Sequence, residues 1–213
     1  MITDERMSTF INSFNTGNTQ FLNELEEYAL ETNVPIIRPQ MQSFMKVLLA
    51  IKKPVKILEV GTAIGFSSLL MAEYCPVECK ITTIEKYEPR IPIARENFKK
   101  AGREDQIRLL EGDAIEILKN LDDEYDLIFM DAAKGQYINF LPDIIRLLAK
   151  DGILLSDNVL QDGNVLDSRF AVVRRDRTIH GRMRDYLYEL THTPLLRTDI
   201  MPIGDGITVS IKI

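Results

Sequence analysis

From residue 55 onward, short apolar runs alternate with longer stretches of helical periodicity. This alternation is typical of βαβ units, in which a helix connects each parallel strand to the next. The predicted strands are mostly apolar along their whole length, as expected where helices cover both faces of a sheet. They span residues 55–60, 80–85, 107–110, 126–131 and 152–157. The pattern therefore predicts the α/β class, with a doubly wound, mostly parallel sheet.

Both ends of the chain differ from this alternating middle. Two helical stretches, 18–32 and 39–52, precede the sheet, and the prolines of segment 34–39 interrupt them. At the other end, 194–202 and 206–213 are predicted strands joined by Ile203-Gly-Asp-Gly, whose glycines permit a tight hairpin. We therefore expect one domain, with an N-terminal helical lid (1–53), a core (54–213) and an antiparallel pair that completes seven strands.

The first predicted strand runs into a glycine-containing turn that should open a helix at about Phe66. Gly61 and Gly65 would let the backbone approach a ligand closely. A dinucleotide site prefers G-x-G-x-x-G, whereas this turn has G-x-x-x-G with the bulky Ile64 inside it. The turn therefore favours a ligand without phosphates.

The next two strands also end in residues suited to a nucleoside. Glu85 ends the second strand, where a carboxylate can accept hydrogen bonds from both ribose hydroxyls. Asp113, in Gly112-Asp113-Ala114, follows the third strand and could accept from an adenine amino group. Each acid alone could equally be a helix cap. Their order along successive strands favours an adenosine-containing ligand.

Two further strands end in oxygen-bearing side chains at this same edge of the sheet. Asp131 ends one strand, and Asp157 with Asn158 ends the next. Two carboxylates and an amide, without thiol or imidazole, suit a hard octahedral cation such as Mg²⁺ or Mn²⁺. The alternative is that both aspartates only cap following helices. Together they predict a metal site formed by Asp131, Asp157 and Asn158.

Lys134 follows Asp131 by three residues and should lie near this cation. A neighbouring positive charge and partial burial can depress the pKa of an amine and make it a usable base. The alternative is an exposed lysine at a helix start. The metal could hold two adjacent substrate oxygens and align one of them for reaction. Lys134 and Asp131 are therefore the predicted catalytic residues.

Composition limits where such a protein would act. The 213 residues are 45% hydrophobic and 27% charged, which suits one globular domain. No apolar run approaches the ~20 residues of a membrane span, and the polar N-terminus lacks a secretory pattern, so we expect a cytoplasmic protein without a membrane partner. Cys75 and Cys79 lack the histidine partners of a zinc site and are predicted to be buried thiols.

The motifs Glu59-x-Gly61, Glu85, Gly112-Asp113-Ala114, Asp131-Ala-Ala-Lys134 and Asp157-Asn158 resemble those of metal-dependent O-methyltransferases, including catechol and caffeoyl-coenzyme A O-methyltransferases. The resemblance covers nearly the whole chain. It implies the Rossmann-like sheet of class I methyltransferases with a reversed last strand, a homodimer, and S-adenosylmethionine with Mg²⁺ as cofactors. It implies cofactor contacts at Ile37, Glu59, Gly61, Ser67, Glu85, Asp113, Ala114 and Asp131, metal ligation by Asp131, Asp157 and Asn158, and base catalysis by Lys134.

The segment 169–184 is strongly basic although the whole chain carries a net charge of −6. Its six arginines are Arg169, Arg174, Arg175, Arg177, Arg182 and Arg184. Arginine side chains suit phosphate oxygens and stack on bases, so they could bind a structured RNA. The segment resembles that of bacterial tRNA 5-hydroxyuridine methyltransferases, a branch of this family, which implies 5-methoxyuridine formation at the wobble position of tRNA.

Three alternatives stay open. The basic segment could be a solvated helix face or a dimer contact. The acceptor could be a small catechol-like phenol or a caffeoyl-coenzyme A-type substrate, with Arg38 contacting its acidic group. A non-catalytic, cofactor-binding interaction protein is a further alternative, which the metal triad and Lys134 disfavour. The tRNA acceptor also suits the predicted metal site, because the 5-hydroxyl and 4-carbonyl oxygens of 5-hydroxyuridine would present a metal with two adjacent oxygens, as a catechol does.

Overall fold

The computed structural model describes residues 5–213 apart from the side chain of Asp162. The helices are α1 Glu5–Asn12, α2 Gln20–Glu31, α3 Pro39–Lys52, α4 Phe66–Tyr74, α5 Ile91–Lys100, α6 Ala114–Lys119, α7 Tyr137–Leu147 and α8 Arg177–His192. The strands are β1 Lys56–Val60, β2 Lys80–Glu85, β3 Ile107–Glu111, β4 Tyr125–Met130, β5 Leu148–Ser156, β6 Leu196–Met201 and β7 Ile207–Lys212. Short 3-10 turns occur at Lys134–Gln136, Gln161–Leu166 and Arg174–Asp176.

All seven strands form one sheet in the order β3-β2-β1-β4-β5-β7-β6. Strands β1 to β5 are parallel to one another, and β7 is antiparallel to both of its neighbours, β5 and β6. The predicted seven-stranded, mostly parallel sheet with a reversed last strand is confirmed. This topology places the carboxyl ends of β1 to β5 at one edge, where open α/β sheets bind ligands.

The start of β5 differs from its prediction, because the strand begins at Leu148 rather than at residue 152. The β4–β5 register shifts between Tyr125 and Leu127, and Asp151 has a left-handed φ of 59°. This irregularity carries the polar residues Lys150 and Asp151 within a strand, as β-bulges do. The polar residues hid the first part of the strand from a pattern based on apolar runs.

Successive residues of each parallel strand pack into two different hydrophobic clusters. Ile57 packs in a cluster with the helices α2, α3, α4 and α5, whereas its neighbour Leu58 packs in a cluster with α6, α7 and α8. The same alternation holds for Phe129 and Ile128 in β4. Because side chains of a strand point alternately to opposite faces, both faces of the sheet are covered by helices. This explains why the strand sequences are apolar throughout.

The two predicted N-terminal helices are observed as α2 and α3, and both contribute to the first of these clusters. Helix α1 was not predicted. Its side chains Met7, Phe10 and Ile11 are each more than half exposed, so the apolar periodicity of a buried face is weak there. Within residues 5–213, no helix has both the length and the apolar character that crossing a bilayer requires.

The predicted C-terminal hairpin is confirmed as β6 and β7, with positive φ angles at Gly204 and Gly206 in its connection. Because β7 runs opposite to β5 and pairs Thr208 with Ser156, this connection lies at the carboxyl end of β5. The reversed strand therefore adds one more loop to the edge of the sheet where the parallel strands end.

Candidate active site

A cavity of about 510 Å³ opens at the carboxyl ends of β1, β2, β3 and β4, with the segment before α3 along one side. Of the residues predicted to form the site, it brings together Ile37, Gly61, Ser67, Glu85, Asp113, Ala114, Asp131, Lys134 and Asn158. A volume of several hundred Å³ is typical of small-molecule and cofactor pockets. The order of strand ends inferred from the sequence therefore produces a single concave site.

The glycine turn after β1 passes unusually close to the end of β4. Gly61 has a φ of 105°, and a Cβ atom built on it would lie 2.3 Å from the carbonyl oxygen of Asp131. The backbone is held there because Gly61 N donates to Ile84 O, and Asp131 N donates to Val60 O. Only glycine combines this conformation with this close approach. The turn thus joins the part of the cavity at the end of β1 to the acidic residues at the end of β4.

Glu85 is fixed in place by three backbone N–H groups. Its Oε2 accepts from Ala63 N (2.7 Å), and its Oε1 accepts from Lys86 N (3.0 Å) and Tyr87 N (2.8 Å). The side chain is largely buried at the wall of the cavity. Each carboxylate oxygen has two lone pairs, so the three backbone donors leave Glu85 one acceptor site, on Oε2, for a ligand hydroxyl.

Asp113 caps a helix and also lines the cavity. It is the N-cap residue of α6, where its Oδ1 accepts from Ile115 N at 2.9 Å, and its Oδ2 lies 3.3 Å from Lys86 Nζ. The Ile115 N–H and then the ammonium of Lys86 lower the pKa of Asp113 below its usual value. The side chain also lines the cavity, so the helix cap presents an ionised carboxylate to a ligand.

Glu59 differs from its prediction as a direct cofactor contact, because it is fully buried and does not line the cavity. Its Oε1 accepts from Ser67 Oγ (2.5 Å), and its Oε2 accepts from Thr83 Oγ1 (2.5 Å) and from Ser68 Oγ. Burial raises the pKa of Glu59 to about 7, against the opposite effect of these hydroxyl donors. Glu59 lies behind Ser67, which does line the cavity.

Asp131 lines the other side of the cavity, whereas Asp157, at the end of β5, lies near Asp131 and does not line the cavity. Asp157 is almost completely buried, and its Oδ1 accepts from Asn158 N at 2.7 Å. Burial, and after it the negative charge of Asp131, raises the pKa of Asp157 to about 7. A bound cation would offset both effects, because it stabilises the charged form of each carboxylate.

Asn158 has a left-handed φ of 58°, and its side-chain amide has two orientations that differ by exchange of oxygen and nitrogen. In one, Nδ2 lies 3.3 Å from Asp131 Oδ1. In the other, Nδ2 donates to Asp205 Oδ2 (3.2 Å) and Oδ1 accepts from Lys134 Nζ (3.1 Å), which satisfies both atoms. This second orientation turns the amide oxygen toward Asp131.

Two carboxylates and an amide oxygen therefore converge, a donor set that fits a small hard cation. No group of three His, Cys, Asp or Glu side chains suited to a metal occurs in the described part of the chain. The amide of Asn158 is accordingly an essential member of the candidate set. The helix-cap alternative does not describe Asp131, because Lys134 begins a 3-10 turn whose N-cap residue is Ala133.

Lys134 lies within this acidic cluster. Its Nζ is 2.7 Å from Asp131 Oδ1 and 3.2 Å from Tyr137 Oη, and its side chain is only 23% exposed. The Tyr137 hydroxyl lies 2.9 Å from Met130 O and 3.2 Å from Asp157 O, so it connects the ends of β4 and β5. The sequence analysis did not identify Tyr137, because an aromatic residue at a helix start has no distinctive local pattern.

The six arginines of segment 169–184 divide into two groups, and none of them lines the cavity. Arg169, Arg174 and Arg175 are exposed. The other three donate to backbone carbonyl groups: Arg177 to Val172 O (3.1 Å), Arg182 to Gly135 O (3.1 Å) and Arg184 to Asp167 O (3.3 Å). The Arg182 contact brings the start of α8 beside the turn that carries Lys134.

Asp205 was not identified from the sequence, although it lies beside the candidate metal ligands. The reversed direction of β7 brings the connection between β6 and β7, which carries Asp205, to this edge of the sheet. Its Oδ2 lies 2.5 Å from Arg38 Nη2. The available signal was an acid between two glycines in the predicted hairpin turn.

Comparison with known proteins gives a consistent result. The model of a family described as O-methyltransferase matches residues 12–213. A caffeoyl-CoA O-methyltransferase of Populus trichocarpa is 31% identical over 184 residues, which are 80% of this chain and 72% of that protein. A catechol O-methyltransferase of Niastella koreensis is 34% identical over 144 residues, which are 64% of this chain and 65% of that protein. The structure of an SAH-bound methyltransferase from Podospora anserina superposes with a TM-score of 0.88 at 29% identity, covering 98% of this chain and 94% of that one.

Proposed function

Because the chain belongs to the O-methyltransferase family, we propose that it transfers the methyl group of S-adenosylmethionine to a small phenol that carries two adjacent oxygens. The observation that carries this proposal is the position of Asp131, which lines the cofactor-sized cavity and also belongs to the acidic cluster with Asp157. The names of the relatives, catechol and caffeoyl-CoA O-methyltransferases, support a phenolic acceptor rather than the tRNA acceptor that the arginine segment suggested.

In this proposal, the β1–β3 side of the cavity holds the cofactor. Glu85 accepts from a ribose hydroxyl, Asp113 accepts from the adenine amino group, and Gly61 lets the backbone pass close to the methionine part of the ligand. Ile37 and Ala114 provide apolar contacts. Glu59 supports the site indirectly, because it holds Ser67 from behind.

The other side would hold Mg²⁺ or Mn²⁺ through Asp131, Asp157 and Asn158. When bound, the ion supplies positive charge that favours ionisation of a phenolic hydroxyl. Asp131 positions this end of the cavity relative to the glycine turn, because its backbone is bonded to Val60. Holding the acceptor oxygen in line with the methyl group can provide a large part of the rate enhancement.

Lys134 is the proposed general base. Its amine is within hydrogen-bonding distance of Asp131 and Tyr137, so it is held at the place where the acceptor hydroxyl would lose its proton. We propose that neutral Lys134 takes up the acceptor proton and returns it to solvent.

The test of this function is turnover of a catechol and of caffeoyl-CoA with S-adenosylmethionine, measured with and without excess chelator. Methylation of either acceptor that stops with chelator and returns with Mg²⁺ is the expected result. Full turnover in excess chelator would overturn the metal-dependent mechanism. Tight SAH binding without methylation of any phenol or tRNA would instead support the non-catalytic, cofactor-binding alternative.

A second candidate acceptor is 5-hydroxyuridine in tRNA. It is favoured by the exposed guanidinium groups of Arg169, Arg174 and Arg175 on the segment between the acidic cluster and α8. Reversing Arg174 and Arg175 to Glu would then abolish tRNA methylation and leave SAH affinity and phenol turnover unchanged. If purified tRNA bearing 5-hydroxyuridine is methylated equally by the reversed and native proteins, these two arginines do not bind RNA.

The family resemblance also leads us to propose a homodimer. The exposed apolar side chains of α1 support it, because contiguous apolar surface often marks a protein interface. Sedimentation velocity across a range of protein concentrations tests this proposal, and a purely monomeric species at all of them would overturn it.

A further inference from the structure

Asp205 lies where the connection between β6 and β7 meets the end of β5. Its side chain is only 9% exposed, and two donors converge on its Oδ2. One is Arg38 Nη2 at 2.5 Å, and the other is Asn158 Nδ2 at 3.2 Å in the orientation that satisfies the Asn158 amide at both ends. An ionised carboxylate only accepts hydrogen bonds. Asp205 therefore favours the orientation of the Asn158 amide in which the nitrogen faces Asp205 and the oxygen points away from it.

We propose that Asp205 is a positioning residue, which binds the nitrogen of the Asn158 amide and thereby turns the amide oxygen toward the cation site. This inference rests on the metal site of the proposed function. An amide can ligate a hard cation only through its oxygen, and rotation of Asn158 by half a turn would present N–H groups instead. Partners of metal ligands commonly fix ligand orientation in this way.

The backbone around Asp205 holds it against Asn158. Leu160 N donates to Asp205 O, and Val159 N donates to Gly206 O, both at 2.9 Å. Gly206 has a φ of 82°, and a Cβ atom built on it would lie 2.3 Å from Leu160 Cγ. The connection between β6 and β7 is therefore packed directly onto the residues that follow Asn158, and small movements of one segment would shift the other.

Arg38 stabilises the buried charge of Asp205 and connects it to the cofactor side of the cavity. A buried carboxylate needs a charged or hydrogen-bonding partner to stay ionised, and the guanidinium group provides both. Arg38 is the N-cap residue of α3 and follows Ile37, which lines the cavity. The chain of contacts from α3 through Asp205 to Asn158 thus links the segment that borders the cofactor to the orientation of a proposed metal ligand.

The test measures Mn²⁺ affinity of the full chain with SAH present, using electron paramagnetic resonance of the free ion. Asp205→Ala removes the acceptor and should weaken Mn²⁺ binding by about tenfold, the lower end of the range for partners of metal ligands. Asp205→Asn removes the negative charge but keeps an oxygen that can accept from both Arg38 and Asn158. It should bind Mn²⁺ within about threefold of the native protein, well above the Ala variant.

A second background separates orientation from simple charge attraction. Asn158→Asp replaces the amide by a carboxylate, whose two oxygens are equivalent and which needs no orienting acceptor. In that background, Asp205→Ala should weaken Mn²⁺ binding much less than it does in the native background, because no amide orientation remains to be lost. This loss of the effect is the non-additivity expected of residues that act through one another.

The control is SAH affinity measured without metal, which should stay within about threefold of native in each variant and so show that the fold is intact. If the Ala variant fails this control, the proposal is decided by comparing the native protein with Asp205→Asn and by the Asn158→Asp background. Native affinity in Asp205→Ala would overturn the proposal. So would equal losses in the Ala and Asn variants that persist in the Asn158→Asp background, since charge alone would explain them. If the native protein binds no Mn²⁺, the proposed metal site itself is wrong and the inference about Asp205 falls with it.

Discussion

Two buried acids at the same edge of the sheet, Glu59 and Asp157, have similar pKa values and different surroundings. Burial raises the pKa of each to about 7. Glu59 accepts hydrogen bonds from three hydroxyl groups of the protein. Asp157 accepts from the backbone of its neighbour Asn158, and the charge of Asp131 is the second largest cause that raises its pKa, whereas Lys134 lowers it. At Glu59 the charge of Asp131 also raises the pKa, but by less than any of the three hydroxyl donors lowers it.

The difference distinguishes a structural acid from one suited to a ligand. Hydroxyl donors offset the cost of burying Glu59 without any ligand, whereas a pair of neighbouring carboxylates retains mutual repulsion that only a positive charge removes. A raised pKa alone would rank the two acids equally. What distinguishes the two acids is their neighbours, which are mainly hydroxyl donors around Glu59 and a second carboxylate beside Asp157.

The strongest test of this difference between Glu59 and Asp157 is to neutralise each acid without changing its size. Asp157→Asn should lower turnover of the phenolic acceptor by at least about a hundredfold, because loss of a direct ligand should exceed the effect of losing a partner of a ligand. SAH affinity should stay within about threefold. Glu59→Gln, the matched control, should cost less than about tenfold in the same assay. Similar losses for both variants would show that the two acids are not functionally different.

A smaller effect is expected at Gly61, where the two regions meet. Gly61→Ala should weaken SAH binding by at least about tenfold in calorimetry, because its methyl group would press on the carbonyl group of Asp131. Gly102→Ala is the matched control, since Gly102 also has a positive φ of 63° but has no atom within 4 Å of an added Cβ. SAH affinity that falls equally in both variants would point to backbone strain and not to the close approach.

The smallest effect concerns the pH dependence of stability. The folded pKa of Glu59, about 7, lies above its ordinary value of 4.5, so the folded state binds this proton more tightly than the unfolded state. Stability should therefore fall as pH rises between these values. From pH 6 to 7 this acid accounts for a loss of about 1 kcal/mol, which Glu59→Gln should abolish. Urea unfolding of both proteins at each pH measures the difference, and equal slopes would contradict the assignment.

Much of the fold follows from local pattern because the sheet is covered on both sides. Continuous apolar runs located β1 to β4 to within one residue at each end. The hairpin strands β6 and β7 were instead located from the glycines of their turn. The pattern failed where burial is incomplete. Helix α1 exposes its apolar residues, and the start of β5 contains a polar irregularity.

The candidate site was predictable where each residue follows its own strand. Gly61, Glu85 and Asp113 were placed in this way. Glu59 was harder, because the family motif Glu59-x-Gly61 implied a cofactor contact and only the packed structure shows the three hydroxyl donors around its carboxylate. Asp205 could not be placed, since its proximity to Asn158 depends on the pairing of β7 with β5 over a long sequence separation.

The hydroxyl group of Tyr137, which lies between the backbone oxygens at the ends of β4 and β5, has a consequence for ion selectivity. By holding these two strand ends at a set separation, it limits how far Asp131 and Asp157 can spread. Calcium accepts longer bonds and more ligands than magnesium, so it would need a wider and more pliable cage. In the proposed metal site, Tyr137 would therefore favour Mg²⁺ over Ca²⁺ although it lies outside the coordination sphere.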